Sequence, residues 1–143
     1  MRPVRLLHVE DNASDAEIFA DALELLGSNV EPSVATDGVA AMALLRNGCR
    51  NGTVPDLVVL DLNLPHKTGR DVLSEIQADA ALREGLRATR FVILTTSAAP
   101  SEVAACYGLG ASAFLTKPLG LTAFRRLVAA IDGFWMRSVV FPD

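Results

Sequence analysis

Cysteine is scarce in this sequence, positive charge is outnumbered, and no apolar run is long enough to cross a bilayer. Each shortage excludes a class of protein. The two cysteines, Cys49 and Cys106, have neither metal-ligand spacing nor partnering histidines. That excludes a disulfide scaffold or a zinc module and leaves two structural thiols of a reducing compartment. Thirteen Lys and Arg against seventeen Asp and Glu give a formal net charge of -4. Binding to nucleic acid needs clustered basic residues, which are missing, so no nucleic-acid partner is expected. The apolar run within Met1–Val9 is too short for a signal-peptide core and is followed by no membrane span, so the chain is expected to be cytoplasmic, with no membrane partner.

What is present is half hydrophobic and 21% charged over 143 residues, which suits one globular domain with a sizeable core. No repeat or linker divides it. A second, output domain does not fit, and residues 1–143 are read as one domain with an extended C-terminal helix and tail, about 121–143.

Four short runs without polar alternation, Val4–Val9, Leu57–Leu60, Phe91–Thr95 and Ala113–Thr116, read as strands buried on both faces of a parallel sheet. A weaker run, Glu31–Ala35, supplies a fifth strand. Helical patterns lie between and after them at Ser14–Leu26, Gly38–Arg46, Gly69–Ala78, Ser101–Gly108 and Leu121–Arg137. Asp15 and Glu17 place acids on a first helical turn, and Gly27 stands where a left-handed C-cap falls. Pro100, Ser101 and Glu102 start another helix. The stretch Asp79–Thr89 reads as a surface loop. The alternation predicts an α/β fold, a doubly wound five-stranded parallel sheet with helices on both faces.

In such sheets function gathers at the carboxyl ends of the strands. Glu10 and Asp11 end the first run, Asp61 follows the third, Thr95 and Thr96 end the fourth, and Lys117 follows the fifth. Carboxylates converging from two strand ends repel one another unless a cation is bound, and Mg²⁺ is the natural one. Asp61, Asp11 and the backbone carbonyl of Asn63 can supply its oxygen ligands. An aspartate can attack phosphorus to form an acyl phosphate once charge is neutralised, with Lys117 and the Thr95 hydroxyl on the phosphoryl oxygens.

Four ordered motifs, "LLHVEDN", "DLVVLDLNLPHKTG", "FVILTTS" and "GASAFLTKP", resemble the receiver domain of two-component response regulators, the CheY-like family, over nearly the whole chain. The resemblance implies a (βα)5 flavodoxin-like fold with strand order 2-1-3-4-5. It implies Asp61 as phosphoacceptor, Glu10 and Asp11 as the acidic pair, and Asn63 as a metal ligand through its carbonyl. Thr95 becomes the switch hydroxyl and Lys117 the phosphate-binding cation. It further implies a sensor histidine kinase as donor, Mg²⁺ as cofactor, and no metabolic turnover. Phe114 takes the place of the switch aromatic, commonly Tyr in the family, and moves with Thr95. Pro118 matches a motif whose peptide bond to Lys117 is cis. The segments "DLNLPHKTGRDVL", "ILTTS" and "GFWMRSVVFP" are similar to the single-domain regulators paired with cyanobacterial and bacterial phytochromes, which implies a bacteriophytochrome as the kinase.

Blander assignments stand beside these. Asp61 could cap a loop, Lys117 could be a solvated lysine, and Glu10 and Asp11 could favour the next helix N-terminus. Spacing favours Thr95 over Thr96 as the switch. Asn63 and Ser97 hold positions that tune dephosphorylation in the family, or serve only turn chemistry. His8 is expected to be a hydrogen-bonded packing residue and His66 to be exposed. Phe134, Trp135, Val139, Val140 and Phe141 either fold back on the core or form the interface of a homodimer. An enzyme of the haloacid dehalogenase type would need a second Asp where this chain has Asn63. A phosphate-independent interaction module would keep the fold without the chemistry.

Overall fold

The computed structural model describes residues 2–143. In chain order it contains β1 (Val4–Val9), α1 (Ala13–Leu25), β2 (Val30–Ala35), α2 (Gly38–Asn51), β3 (Leu57–Leu60), α3 (Gly69–Ala78) and α4 (Ala80–Gly85). There follow β4 (Arg90–Thr95), α5 (Pro100–Gly108), β5 (Ala113–Thr116), α6 (Leu121–Ile131) and a π-helical segment, Asp132–Ser138. All strand pairs are parallel in the order β2-β1-β3-β4-β5. The five-stranded parallel sheet is what the strand runs predict, and its order is the one that the resemblance to receiver domains implies.

The unbroken apolar runs explain which strands are central. All four residues of β3 are fully buried, as are Phe91 to Thr95 of β4. At about 1.5–3 kcal/mol for each large side chain removed from water, that burial anchors the sheet. One face packs on α1, α6 and the tail through Leu6, Phe19, Val59, Leu94, Phe124 and Val128. The other packs on α2 to α5 through Val58, Leu60, Leu45, Val72, Leu82 and Cys106. Among the described residues no helix is long and apolar enough to cross a membrane.

Several boundaries differ from expectation. α1 begins at Ala13, one residue earlier than expected, because Asn12 caps it by accepting the Asp15 N–H. α2 runs past Arg46 to Asn51 and stops at Gly52, whose φ of 68° is the left-handed conformation that glycine adopts most readily. The expected loop Asp79–Thr89 contains α4, capped by the Asp79 carboxylate on the N–H groups of Ala81 and Leu82. Leu82 and Leu86, four residues apart, bury on the α2–α3 side.

The helix predicted over Leu121–Arg137 ends at Ile131 and widens into the π-helical segment. There the pairings step by five residues: Arg137 Nε to Asp132 Oδ2 at 2.6 Å, Ser138 Oγ to the Gly133 carbonyl, and the Val139 N–H to the Phe134 carbonyl. The Lys117–Pro118 bond, expected to be cis, is trans, as no described peptide bond is cis. Trans is the form favoured by about 0.5–1 kcal/mol before proline, and from it Lys117 still donates its N–H to Thr95 O at 2.7 Å.

Candidate functional site at the carboxyl ends of the strands

The ladder of the sheet continues one residue beyond the strands, and this sets the site. Glu10 donates its N–H to Ala35 O, Asp61 to Val9 O, and Lys117 to Thr95 O, at 2.7–3.1 Å. Each functional side chain therefore leaves a backbone position held by its neighbour strand. Past Asp61 the chain turns back through a hydrogen bond from Gly69 N–H to Leu62 O. A Cβ at Gly69 would lie 2.2 Å from the Asp61 carbonyl oxygen, so glycine alone allows α3 to begin this close. The reciprocal cap between Thr68 and Asp71 then starts α3.

The side chains converge. Lys117 Nζ lies 2.6 Å from Glu10 Oε1, 3.0 Å from Asp61 Oδ2 and 3.0 Å from Asp15 Oδ2. Asp61 Oδ1 accepts the Asn63 N–H at 3.0 Å, and Glu10 Oε2 accepts the Asn12 N–H at 3.2 Å. The Asn63 side-chain amide donates to Thr95 Oγ1 at 3.4 Å. Glu10, Asp61 and Thr95 are buried, while Asp11 faces solvent. Glu10, Asp11 and Asp61 each offer a carboxylate oxygen within 4.8 Å of the others. Three hard oxygen donors at this spacing suit a divalent cation that retains some of its water.

Burial pushes the Glu10 carboxyl up to about 7, against the lowering pull of Lys117 and with help from the Asp61 charge. Burial would also raise Asp61, but the Asn63 N–H and Lys117 outweigh it and hold Asp61 below the usual range. Burial would lower Lys117, and its bonds to Glu10, Asp61 and Asp15 reverse that and raise it. The ground state is therefore a charged Lys117 and Asp61 with a Glu10 that readily takes a proton when no metal is bound.

Of the strand-end residues singled out in the sequence, Glu10, Asp11, Asp61, Thr95 and Lys117 are thus in the cluster, while Thr96 is exposed. Asp15 is the residue that sequence reasoning missed as a site member. It was visible only as a helix-start acid, although it stands five residues after Glu10 on the turn facing Lys117. Phe114 lies apart, half-buried against the α2–α5 layer. Its N–H donates to the Tyr107 hydroxyl at 3.1 Å, so a tyrosine oxygen reaches this strand from α5. His8 packs its ring on Phe19, with centroids 4.3 Å apart, and is pushed down to about 4 by burial and by Lys117. His66 is exposed, at a φ of 66°.

The tail residues divide. Trp135 and Phe141 stack on one another and, with the buried Met136, join the α1–α6 core, while Phe134 and Val140 remain exposed.

A parallel sheet of this order that gathers an acidic triad, a lysine and a threonine at its carboxyl edge has the layout of a receiver domain. The sequence matches the response regulator receiver domain family over residues 6–132, and the chain belongs to that family. It is 36% identical over 142 residues to the response regulator Rcp1 of Synechocystis sp., covering 98% of this chain and 94% of the relative. It superposes on the Mn²⁺-bound form of Rcp1 with a TM-score of 0.86, at 36% identity, over 99% of this chain and all of the other. The phosphorylated cyanobacterial phytochrome response regulator RcpA gives a TM-score of 0.86 at 34% identity over 99% of both chains. The bacteriophytochrome response regulator AtBRR gives 0.68 at 29% identity over the full length of both. The chain is therefore a receiver domain of a two-component system whose relatives include phytochrome response regulators.

Proposed function

We propose that Asp61 accepts a phosphoryl group from the phosphohistidine of a sensor kinase, with Mg²⁺ as cofactor, and that the kinase is a phytochrome-type photoreceptor. One observation carries the reading. The Asp61 carboxylate is shared between the metal-capable triad and Lys117, with a backbone N–H fixing its other oxygen.

In the transfer an Asp61 oxygen bonds to phosphorus as the P–N bond to the kinase imidazole breaks, and the imidazole leaves with a proton. Lys117 donates to a phosphoryl oxygen, and Thr95 turns its hydroxyl to another. Glu10, Asp11, Asp61 and the Asn63 carbonyl would hold the metal, which supplies positive charge against the crowded anions. The names of the similar proteins, a phytochrome regulator and a bacteriophytochrome regulator, support the kinase class.

Thr95 and Phe114 form the switch, and the state is passed on through contacts of the chain's own surface in the cytoplasm. A homodimer through α6 and the tail is part of this reading, supported by the exposed Phe134 and Val140.

Phosphoramidate and Mg²⁺ test the first step. The protein should gain one phosphoryl mass that is lost in base, and Asp61→Asn should gain none. A label that survives Asp61→Asn would overturn the assignment.

A further inference from the structure

Lys117 is hemmed in by three carboxylates before any phosphoryl group arrives. An ammonium has three N–H donors, and it donates to Asp61 Oδ2 and Asp15 Oδ2 at 3.0 Å each while Glu10 Oε1 lies 2.6 Å away in an ion pair. If phosphorylation follows the reading above, a phosphoryl oxygen must compete with these carboxylates for Lys117. Glu10 is the least able to leave. It is 1% exposed, it makes the shortest contact, and it also receives the Asn12 N–H. Asp61 loses its carboxylate charge on becoming an acyl phosphate, so its own hold on Lys117 weakens as the phosphoryl oxygen arrives, which leaves Asp15 as the competitor that can move. Asp15 belongs to the first turn of α1, 28% of its side chain is open to water, and turning it outward resolvates a carboxylate at little cost.

We infer that Asp15 is a positioning residue that occupies the phosphate-binding bond of Lys117 in the resting state and yields it to the incoming phosphoryl group. Two consequences follow from the geometry. Asp15 keeps the lysine aimed into the site, and it also competes with the phosphoryl oxygen for one N–H, so it sets how much donor is needed to fill Asp61. A second effect has the same sign. Asp15 is a third negative charge on a lysine that already faces two, and it opposes the approach of an anion.

The test is a titration with phosphoramidate at saturating Mg²⁺, read by mass spectrometry of intact protein, on the wild type, Asp15→Asn and Asp15→Ala. The donor concentration that half-fills Asp61 should fall about threefold to fivefold in both variants, the range of a partly exposed ion pair. Melting temperatures serve as the control for folding. An unchanged or higher half-filling concentration in both variants overturns the inference. Loss of folding in both overturns it too, because a rim carboxylate that only steers Lys117 is not needed for the fold. If the wild type itself takes no label on Asp61, the phosphoacceptor reading fails, and this inference fails with it. If the wild type is labelled and the variants match it, only the inference is lost.

Discussion

The carboxyl edge of the sheet and the opposite, tail-bearing side handle buried charge in contrasting ways. On the tail side charges are matched one to one. Arg2 forks onto Asp56 at 2.7 and 2.8 Å and also donates to the Pro142 carbonyl. Asp132, 2% exposed, takes Arg137 Nε and the Ser28 hydroxyl at 2.6 Å each, and Arg137 goes on to the Leu26 carbonyl. Those pairs are complete and fasten the tail to α1 and to the start of β3. At the carboxyl edge a single lysine faces Glu10, Asp15 and Asp61, with Asp11 beside them. A balanced pair serves the fold, whereas an unbalanced cluster is finished only by something from outside.

The largest test of that contrast removes one charge from each side. Lys117→Met leaves buried carboxylates uncompensated and should cost about 3–5 kcal/mol in metal-free buffer. At one saturating Mg²⁺ concentration the triad freed of its lysine should bind the ion more tightly, and a tenfold lower Kd would return about 1.4 kcal/mol beyond the gain of the wild type. Asp132→Ala should cost about 2 kcal/mol by orphaning the Ser28 hydroxyl and freeing Arg137, and Mg²⁺ should return none of that beyond its effect on the wild type. Urea denaturation with and without Mg²⁺ measures both. Equal rescue of the two variants would erase the distinction.

A smaller effect is expected from pH in metal-free buffer. Glu10 rises from 4.5 unfolded to about 7 folded, so its contribution to stability is full below about pH 4.5 and is lost as pH rises through 7. His8 falls from 6.5 to about 4, so its contribution is full above about pH 6.5 and is lost as pH falls through 4. The two slopes oppose each other and flatten the wild-type profile between pH 4.5 and 6.5. Glu10→Gln should make the melting temperature rise with pH across that window, by roughly 3–6 °C, and His8→Phe should make it fall by a similar amount. Slopes of the same sign in the two variants would show that these groups do not control the profile.

The smallest effect on folding belongs to the exposed tail. Phe134→Ser and Val140→Ser should change stability by under about 0.5 kcal/mol. The same pair should shift a homodimer towards monomer in sedimentation at high micromolar protein. A wild type that sediments only as monomer at that concentration removes the dimer from the reading.

Legibility in the sequence followed how local the cause was. β3 and β4 were readable because a run such as Leu57–Leu60, with no polar alternation, fits only a strand covered on both sides. Glu10, Asp61, Thr95 and Lys117 were readable because each ends or follows such a run. α4 was hidden because six residues carry too short a pattern. Only Leu82 and Leu86 mark it, and their burial depends on α2 and α3 being beside them. The π-helical turn was hidden because its i to i+5 pairings hold Arg137 on an Asp132 that is itself fixed by Ser28, from the connection between α1 and β2. The expected cis bond before Pro118 came from a motif, and the local backbone is trans.

The sequence by itself determined the order of strands and helices and the kinds of residue at each strand end. Hydrophobic periodicity and cap chemistry act over a few residues and are written there directly. Only the tertiary structure decided that Asp15 shares Lys117 with Glu10 and Asp61 across 102 residues of chain, and that the tail is half core and half surface. A hydrogen bond or a buried ring depends on which elements the sheet brings side by side, and that adjacency exists only once the whole chain has closed around its core.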